Sequence, residues 1–273
     1  MDRPSWITSR LCCGLGNRLF QITAAIGAAE RNKTEPVLFL PAMYKVEHGN
    51  FDLIKTLCPN LRLIETVSEW DVIGQTQEAT VPRIETTSPV VLHGFFQNTS
   101  NFPPLTNKYL PRLHDPLLPT TAWAIHFRFG DYRILPHHQI PGLNKYYYHA
   151  ITQYIPKGST IILFSDSPEL LKPISEEITQ MGYVCESYVS TNTLDTIKAF
   201  ARCTSGSICS NSTFAWWAAF LTYQSTKNLN YKAFFPDTWV REQPSPKIFN
   251  LPFTQSLNLQ DIPSSPYLKS FHY

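Results

Sequence analysis

The chain has 273 residues, of which 43% are hydrophobic and only 16% charged, with a formal net charge of +2 and a pI near 8.2. That apolar content is ample for a large buried core, in one big domain or two smaller ones, and two are expected. The near balance of charge excludes a general field for nucleic acid or an anionic membrane, so an anionic ligand has to be gripped locally.

In chain order, WITSRLCC reads as a strand, followed by a glycine-rich turn, a helix over LFQITAAIGAAERNK and the apolar strand PVLFLP. This is a β-turn-α-β order. FDLIKTLCPN has helical spacing, and VVLHGFF (90–96) reads as a buried strand. Residues 98–121 carry five prolines and little periodicity, which marks a linker. The expected domains are therefore 1–118 and 119–273. In the second, AWAIHF (122–127) and TIILFS (160–165) are strands, and SPELLKPISEEITQ (167–180) is a helix with Ser167 as cap and Pro168 at its first position. YVCESYV, TLDTIKAFARC, SGSICS and STFAWWAAFLTY continue the strand and helix alternation, and KAFFP closes the sheet. The expected fold class is α/β, with parallel Rossmann-like βα units and ligand loops at the carboxyl ends of the strands.

Six cysteines show no CxxC pair and no zinc-ligand spacing, and are expected as buried reduced thiols. The N-terminal stretch has no signal-peptide core, and no run of about 18 apolar residues occurs, so no integral membrane segment is expected.

Four loops could carry chemistry. In CGLGNRLFQ (13–21), Gly14 and Gly16 let backbone N–H groups approach an anion at a helix start. Leu19 stands where a dinucleotide fingerprint needs its third glycine, leaving a plain tight turn or a loop in which Asn17 and Arg18 touch phosphate or sugar. In AWAIHFRFGDYR (122–133), strand alternation puts Trp123, Ile125 and Phe127 on one face and Ala124, His126 and Arg128 on the other. Arg128 is either a bidentate phosphate ligand or simply the partner of Asp131 across the Gly130 turn. In FSDSPEL (164–170), Asp166 is a helix cap or an acceptor for a guanine edge. In CSNSTFAWWAAF (209–220), Asn211, Ser212 and Thr213 exceed what capping needs and form a candidate phosphate cradle, while Trp216 and Trp217 are expected in the core. His137, His138 and His149 lack the carboxylate or cysteine partners of a metal site, and Tyr146 to Tyr148 are expected at a helix start.

Taken together, these loops resemble the α-1,2-fucosyltransferases of glycosyltransferase family 11. GLGNRLFQ is similar to their GLGNQMFQ, LHGFFQN to L-x-G-Y-F-Q, HFRFGDY to HIRRGDY, FSDSPEL to the FSDD-type segment, and SNSTFAWWAAFL to SNSSFSWWGAWL, in the family's order. FFPDTW resembles the closing P-x-x-W. The resemblance implies a GT-B-like fold of two Rossmann-like domains facing across a cleft, with the acceptor on the N-terminal side and GDP-fucose on the C-terminal domain. It implies inverting transfer of L-fucose from GDP-β-L-fucose to a sugar hydroxyl, O2 of a galactoside. The alternatives are another GDP-sugar donor, another fucosyl linkage, or a non-catalytic sugar-nucleotide binder.

By the same resemblance Arg128 meets the β-phosphate, Asp166 the guanine, Ser212 and Thr213 the phosphates, and Gly16 and Asn17 the diphosphate and sugar. Phe129 replaces the second Arg of HxRR. Leaving-group charge is then met by Arg128, the Asn211–Thr213 helix start and Arg18, and with no Asp-x-Asp triplet no metal or other cofactor is expected. Asp131 is the base or the residue that orients Arg128, and His126 is a base, a nucleotide contact or a buried strand histidine. A cytoplasmic enzyme is expected, bacterial or virus-encoded, with GDP-fucose and a glycan acceptor as partners and no nucleic acid.

Overall fold

The computed structural model describes residues 4–39, 51–66, 69–74, 80–81, 83–115, 118–226, 228–243 and 245–273. Two compact units divide the chain: Met1–His114 with Pro246–Asn250, and Asp115–Ser245 with Leu251–Tyr273.

The first unit runs β1 (Trp6–Ser9), α1 (Leu15–Asn32), β2 (Glu35–Phe39), α2 (Phe51–Leu57), β3 (Arg62–Ile64), β4 (Asp71–Gly74) and β5 (Val90–His93). Its sheet is parallel throughout, in the order β3-β2-β1-β5-β4. Alanines at positions 24, 25, 28 and 29 let α1 lie closely on Ile7, Val90 and Leu92. Gly27 is forced by a still closer approach, since a Cβ there would sit 1.7 Å from the Asn101 carbonyl oxygen. The helix ends at Lys33 in the left-handed region, whose N–H returns to the Ala29 and Glu30 carbonyls. Strands β3 and β4 were not among the strands expected from the sequence.

The second unit runs β6 (Trp123–Phe127), α3 (Leu143–Tyr154), β7 (Thr160–Ser165), α4 (Leu171–Gln180), β8 (Val184–Ser187), α5 (Thr193–Ala201), β9 (Gly206–Ile208), α6 (Thr213–Thr226), β10 (Ala233–Pro236) and β11 (Thr254–Leu257). The parallel order β11-β10-β9-β6-β7-β8 is that of a dinucleotide-binding sheet, 3-2-1-4-5-6, when counted from β6. Both units therefore have the α/β, Rossmann-like architecture read from the sequence. Trp216 and Trp217 are buried in α6 as expected.

Three local expectations are corrected. KAFFP does not close the sheet, because β11 pairs outside it. The helix expected from Ser167 is a 3-10 turn over Pro168–Leu170 followed by α4 from Leu171, and the Ser167 side chain caps nothing. Pro173 explains the break: a helix begun at 168 would place it in the interior, whereas one begun at 171 holds it in the first turn, where its missing N–H costs nothing. The cysteines are all unbridged, but only Cys58, Cys203 and Cys209 are buried, and Cys13 is exposed.

Candidate functional site

In an open parallel sheet the ligand crevice opens beyond the carboxyl ends of the strands, where the strand order reverses. That point lies between β6 and β9 in the second unit and between β1 and β5 in the first.

At the β6 end, strand alternation runs two residues past the strand itself. Phe129 stacks parallel to Phe127 with ring centroids 6.2 Å apart and meets Phe271 at 5.4 Å. It is buried on the face covered by α3 and the C-terminal segment, beside Tyr146 and Tyr147. The opposite face carries His126 and Arg128. His126 is buried, with its Nδ1 2.9 Å from the Ser210 hydroxyl. Burial first, and then the Arg128 charge, pushes its pKa down to about 3, so the imidazole is neutral at ordinary pH.

Arg128 leaves the strand end between two carboxylates. One guanidinium nitrogen is 2.7 Å from Asp131 Oδ1, and the other is 2.8 Å from Asp166 Oδ2. The two acids are held differently. Asp166, 22% exposed, also accepts the Phe129 N–H at 2.9 Å, whereas Asp131 is 49% exposed. Gly130 makes this packing possible: a Cβ on it would fall 2.1 Å from Asp166 Oδ2. The Arg128 guanidinium also lies over the Tyr132 ring, and the Tyr132 hydroxyl donates to the Asn211 carbonyl, which ties the loop after β6 to the start of α6.

Of the three candidate cradle residues, Asn211 is fully buried and its amide nitrogen donates to the His138 and Trp239 carbonyls. It braces the loops from within. Ser212 is nearly buried, its N–H bonded to the Ser210 carbonyl, and Thr213 is half-buried at the first position of α6. His138 stacks on Tyr132 with centroids 4.5 Å apart, His149 lies on α3, and no cluster suited to a metal occurs among the described residues.

In the first unit the turn after β1 faces the turn after β5. Gln21 is fully buried and clasps both: its carbonyl oxygen accepts the Cys12 N–H at 3.0 Å, while its amide nitrogen reaches the Gly94 carbonyl at 3.1 Å and the Cys12 sulfur at 3.2 Å. Each turn has one non-glycine residue in the left-handed region, Cys13 at φ 63° and Phe96 at φ 54°. Such strain is tolerated where the surroundings over-determine it, as they do around Gln21. Asn17, in the first turn of α1, accepts a hydrogen bond from Gln97 at 2.9 Å. Gln97 is buried, and its own carbonyl oxygen has no hydrogen-bond partner among the described residues. Gly14 caps α1 without a side chain, and the space beyond its Cα is open. Arg18 is buried, and desolvation lowers its pKa while the Cys12 and Cys13 sulfurs raise it.

Gln21, Gln97, Ser210, Tyr132 and the buried role of Phe129 were not singled out in the sequence. Phe129 and Gln97 had a signal there, the first in the alternation of residues 123–129 and the second in the LHGFFQN segment.

Residues 117–247, almost all within the second unit, match the model of glycosyl transferase family 11. The match covers a little under half of the chain and marks the second unit as similar to that family. No curated protein matches the chain. Among solved structures, the chain is similar to the NodZ fucosyltransferase from Bradyrhizobium, at 13% identity and TM-score 0.47. It is likewise similar to NodZ alpha-1,6-fucosyltransferase soaked with GDP-fucose, at 13% identity and TM-score 0.46. Each alignment covers 80% of this chain and 93% of the other. The matched segment carries its charged loops at the reversal point of a dinucleotide-type sheet, and no helix among the described residues is long and apolar enough to cross a membrane.

Proposed function

We propose that the chain is an inverting fucosyltransferase that moves L-fucose from GDP-β-L-fucose to O2 of a galactoside in the cytoplasm, the second unit holding the donor and the first the acceptor. The observation that carries this reading is Arg128, presented at the carboxyl end of β6 inside a family 11 segment and aimed by two carboxylates. The fucosyl donor and the O2 linkage rest on the resemblance of GLGNRLFQ, LHGFFQN, HFRFGDY, FSDSPEL and SNSTFAWWAAFL to the α-1,2-fucosyltransferase motifs.

In this mechanism the leaving diphosphate takes the Arg128 nitrogen that Asp131 holds in the unliganded protein. Asp131 is the carboxylate to be displaced, because it is the more exposed and its side chain has no second hydrogen bond among the described residues. Once released, it is a free carboxylate beside the donor and serves as the base for the acceptor hydroxyl. Both Asp166 oxygens are engaged within the protein, so we assign it the positioning of Arg128 in place of the guanine contact. Ser212 and Thr213 at the start of α6 supply the second set of phosphate donors. His126, neutral and tied to Ser210, forms the wall behind them. Charge stabilisation by a fixed guanidinium is the main catalytic effect, and no metal is required.

The test is GDP release from GDP-fucose with and without a β-galactoside, in buffer containing EDTA. Acceptor-dependent release with formation of an α-1,2-linked product is expected. Arg128→Ala should lower kcat/KM by roughly 10²–10³, the loss seen when one preorganised donor is removed. Near-normal transfer by that variant overturns the assignment.

A further inference from the structure

Cys12 and Cys13 are adjacent in the chain and sit at the lip of the first unit's glycine turn, with their sulfurs 3.6 Å apart. Cys12 is half-buried and Cys13 exposed. Cys13 adopts the left-handed backbone conformation, φ 63°, which a β-carbon residue occupies at a cost. The Gln21 amide nitrogen donates to the Cys12 sulfur at 3.2 Å, and the buried Arg18 guanidinium interacts electrostatically with both sulfurs. No other pair among the six cysteines is adjacent in the sequence.

We infer that Cys12 and Cys13 form a reversible thiol switch, closed by exchange with a low-molecular-weight disulfide. The exposed Cys13 sulfur attacks the disulfide, forms a mixed disulfide and releases one small thiol. The Cys12 sulfur then attacks the Cys13 sulfur and releases the second. The two protein thiols are oxidised, the small disulfide is reduced to two thiols, and the ring that closes links neighbouring residues. Neighbouring Cα atoms are about 3.8 Å apart across a trans peptide, below the roughly 4.4–6.8 Å span of ordinary disulfides. A bridge there is strained and readily reduced again, which is the property of a regulatory disulfide and not of a structural one.

Closure draws the sulfurs from 3.6 Å to about 2.05 Å and pulls the Cys12 sulfur away from the Gln21 amide. Because the same amide nitrogen holds the Gly94 carbonyl, the change reaches the turn after β5 as well as the start of α1. This inference does not depend on the transferase reading.

The full-length protein would be incubated with oxidised glutathione, quenched with N-ethylmaleimide and digested, and the peptide containing residues 12 and 13 weighed. The expected product has lost two hydrogens, carries neither maleimide nor glutathione, and regains two maleimide-reactive thiols after dithiothreitol. In Cys12→Ser the glutathione should remain on Cys13, since no resolving sulfur is left. Phenylarsine oxide, which binds two neighbouring thiols through one arsenic with loss of water, should protect both residues from alkylation. A stable glutathione adduct on Cys13 of the unaltered protein, with Cys12 still alkylated, overturns the proposal. So does capture by the arsenical without any disulfide closure.

Discussion

The two strand-order reversals in this molecule are built from opposite materials. Between β6 and β9 the loop ends carry full charges, Arg128 fixed by Asp131 and Asp166, over a wall made neutral by burial of His126. Between β1 and β5 the lining is amide and thiol, Gln21, Gln97, Asn17 and Cys12, with the Arg18 cation withdrawn behind them. A fixed cation is worth most against a group that gains negative charge as the reaction proceeds. Amides act differently: they orient neutral hydroxyls through directed hydrogen bonds and add little field. Under the proposed function, the charged reversal point suits a leaving group and the amide-lined one suits a sugar hydroxyl.

The largest expected effect is at Phe129. Its place among Phe127, Tyr147 and Phe271 makes it part of the wall that keeps the β6 loop on one side of the sheet. Phe129→Arg restores the second arginine of the family pattern, yet it removes a buried aromatic ring and drives a guanidinium into an apolar cluster. Destabilisation by about 3 kcal/mol or more is expected, measured as a lower urea midpoint with an unchanged slope. A stability within about 1 kcal/mol of the parent, with tighter GDP-fucose binding, would place position 129 on the ligand face and erase the distinction between the two faces of β6.

The neutrality of the His126 wall is tested by pH. The folded-state pKa is lowered to about 3 from an ordinary value of 6.5, so the protein's preference for neutral His126 is fully present above pH 6.5. It is lost as pH falls from 6.5 toward 3, at about 1.4 kcal/mol per pH unit, because the unfolded chain takes up the proton that the folded one refuses. His126→Asn keeps a polar partner for Ser210 and cannot titrate. It should be less stable at pH 7 but show a shallower loss between pH 6.5 and 5. Parallel stability curves for the two proteins would mean that His126 is protonated in place, adding a second cation to the wall.

Much of this arrangement is legible in the sequence, and the parts that are not share one cause. The βα alternation, the reversal-point loops and the positions of Arg128, Asp131 and Asp166 are local properties, written in periodicity and turn residues. The face shared by His126 and Arg128 follows from alternation alone, because the two are two residues apart. What covers the other side depends on Phe271, some 140 residues away, so alternation could pair Phe129 with Phe127 but could not show that both are buried. Strand β11 is hidden for a similar reason: TQSL is polar on its own and becomes a strand only because β10 offers it an edge. Asn211 reads as a ligand because it stands among hydroxyls at a helix start, and only the carbonyls of His138 and Trp239 reveal it as a brace.

The smallest effect is expected where the neutral site is weakest, at Gln97. Its amide nitrogen holds the Asn17 side-chain oxygen at 2.9 Å, while its own carbonyl oxygen is buried without a partner among the described residues. Removing the amide therefore has opposed consequences for folding: a hydrogen bond worth about 1 kcal/mol is lost, and an unmet acceptor costing about as much is relieved. Gln97→Leu should leave stability within about 1 kcal/mol of the parent. Asn17, no longer held, turns among rotamers, and under the proposed function its aim at a neutral hydroxyl is lost without any change in charge. The expected signature is a fall in kcat/KM of about fivefold, the equivalent of one such hydrogen bond, with the pH profile unmoved. If the loss instead matched that of Arg128→Ala, the amide side would be stabilising developing charge as strongly as the guanidinium does. The contrast between the two reversal points would then be one of residue type and not of chemical role.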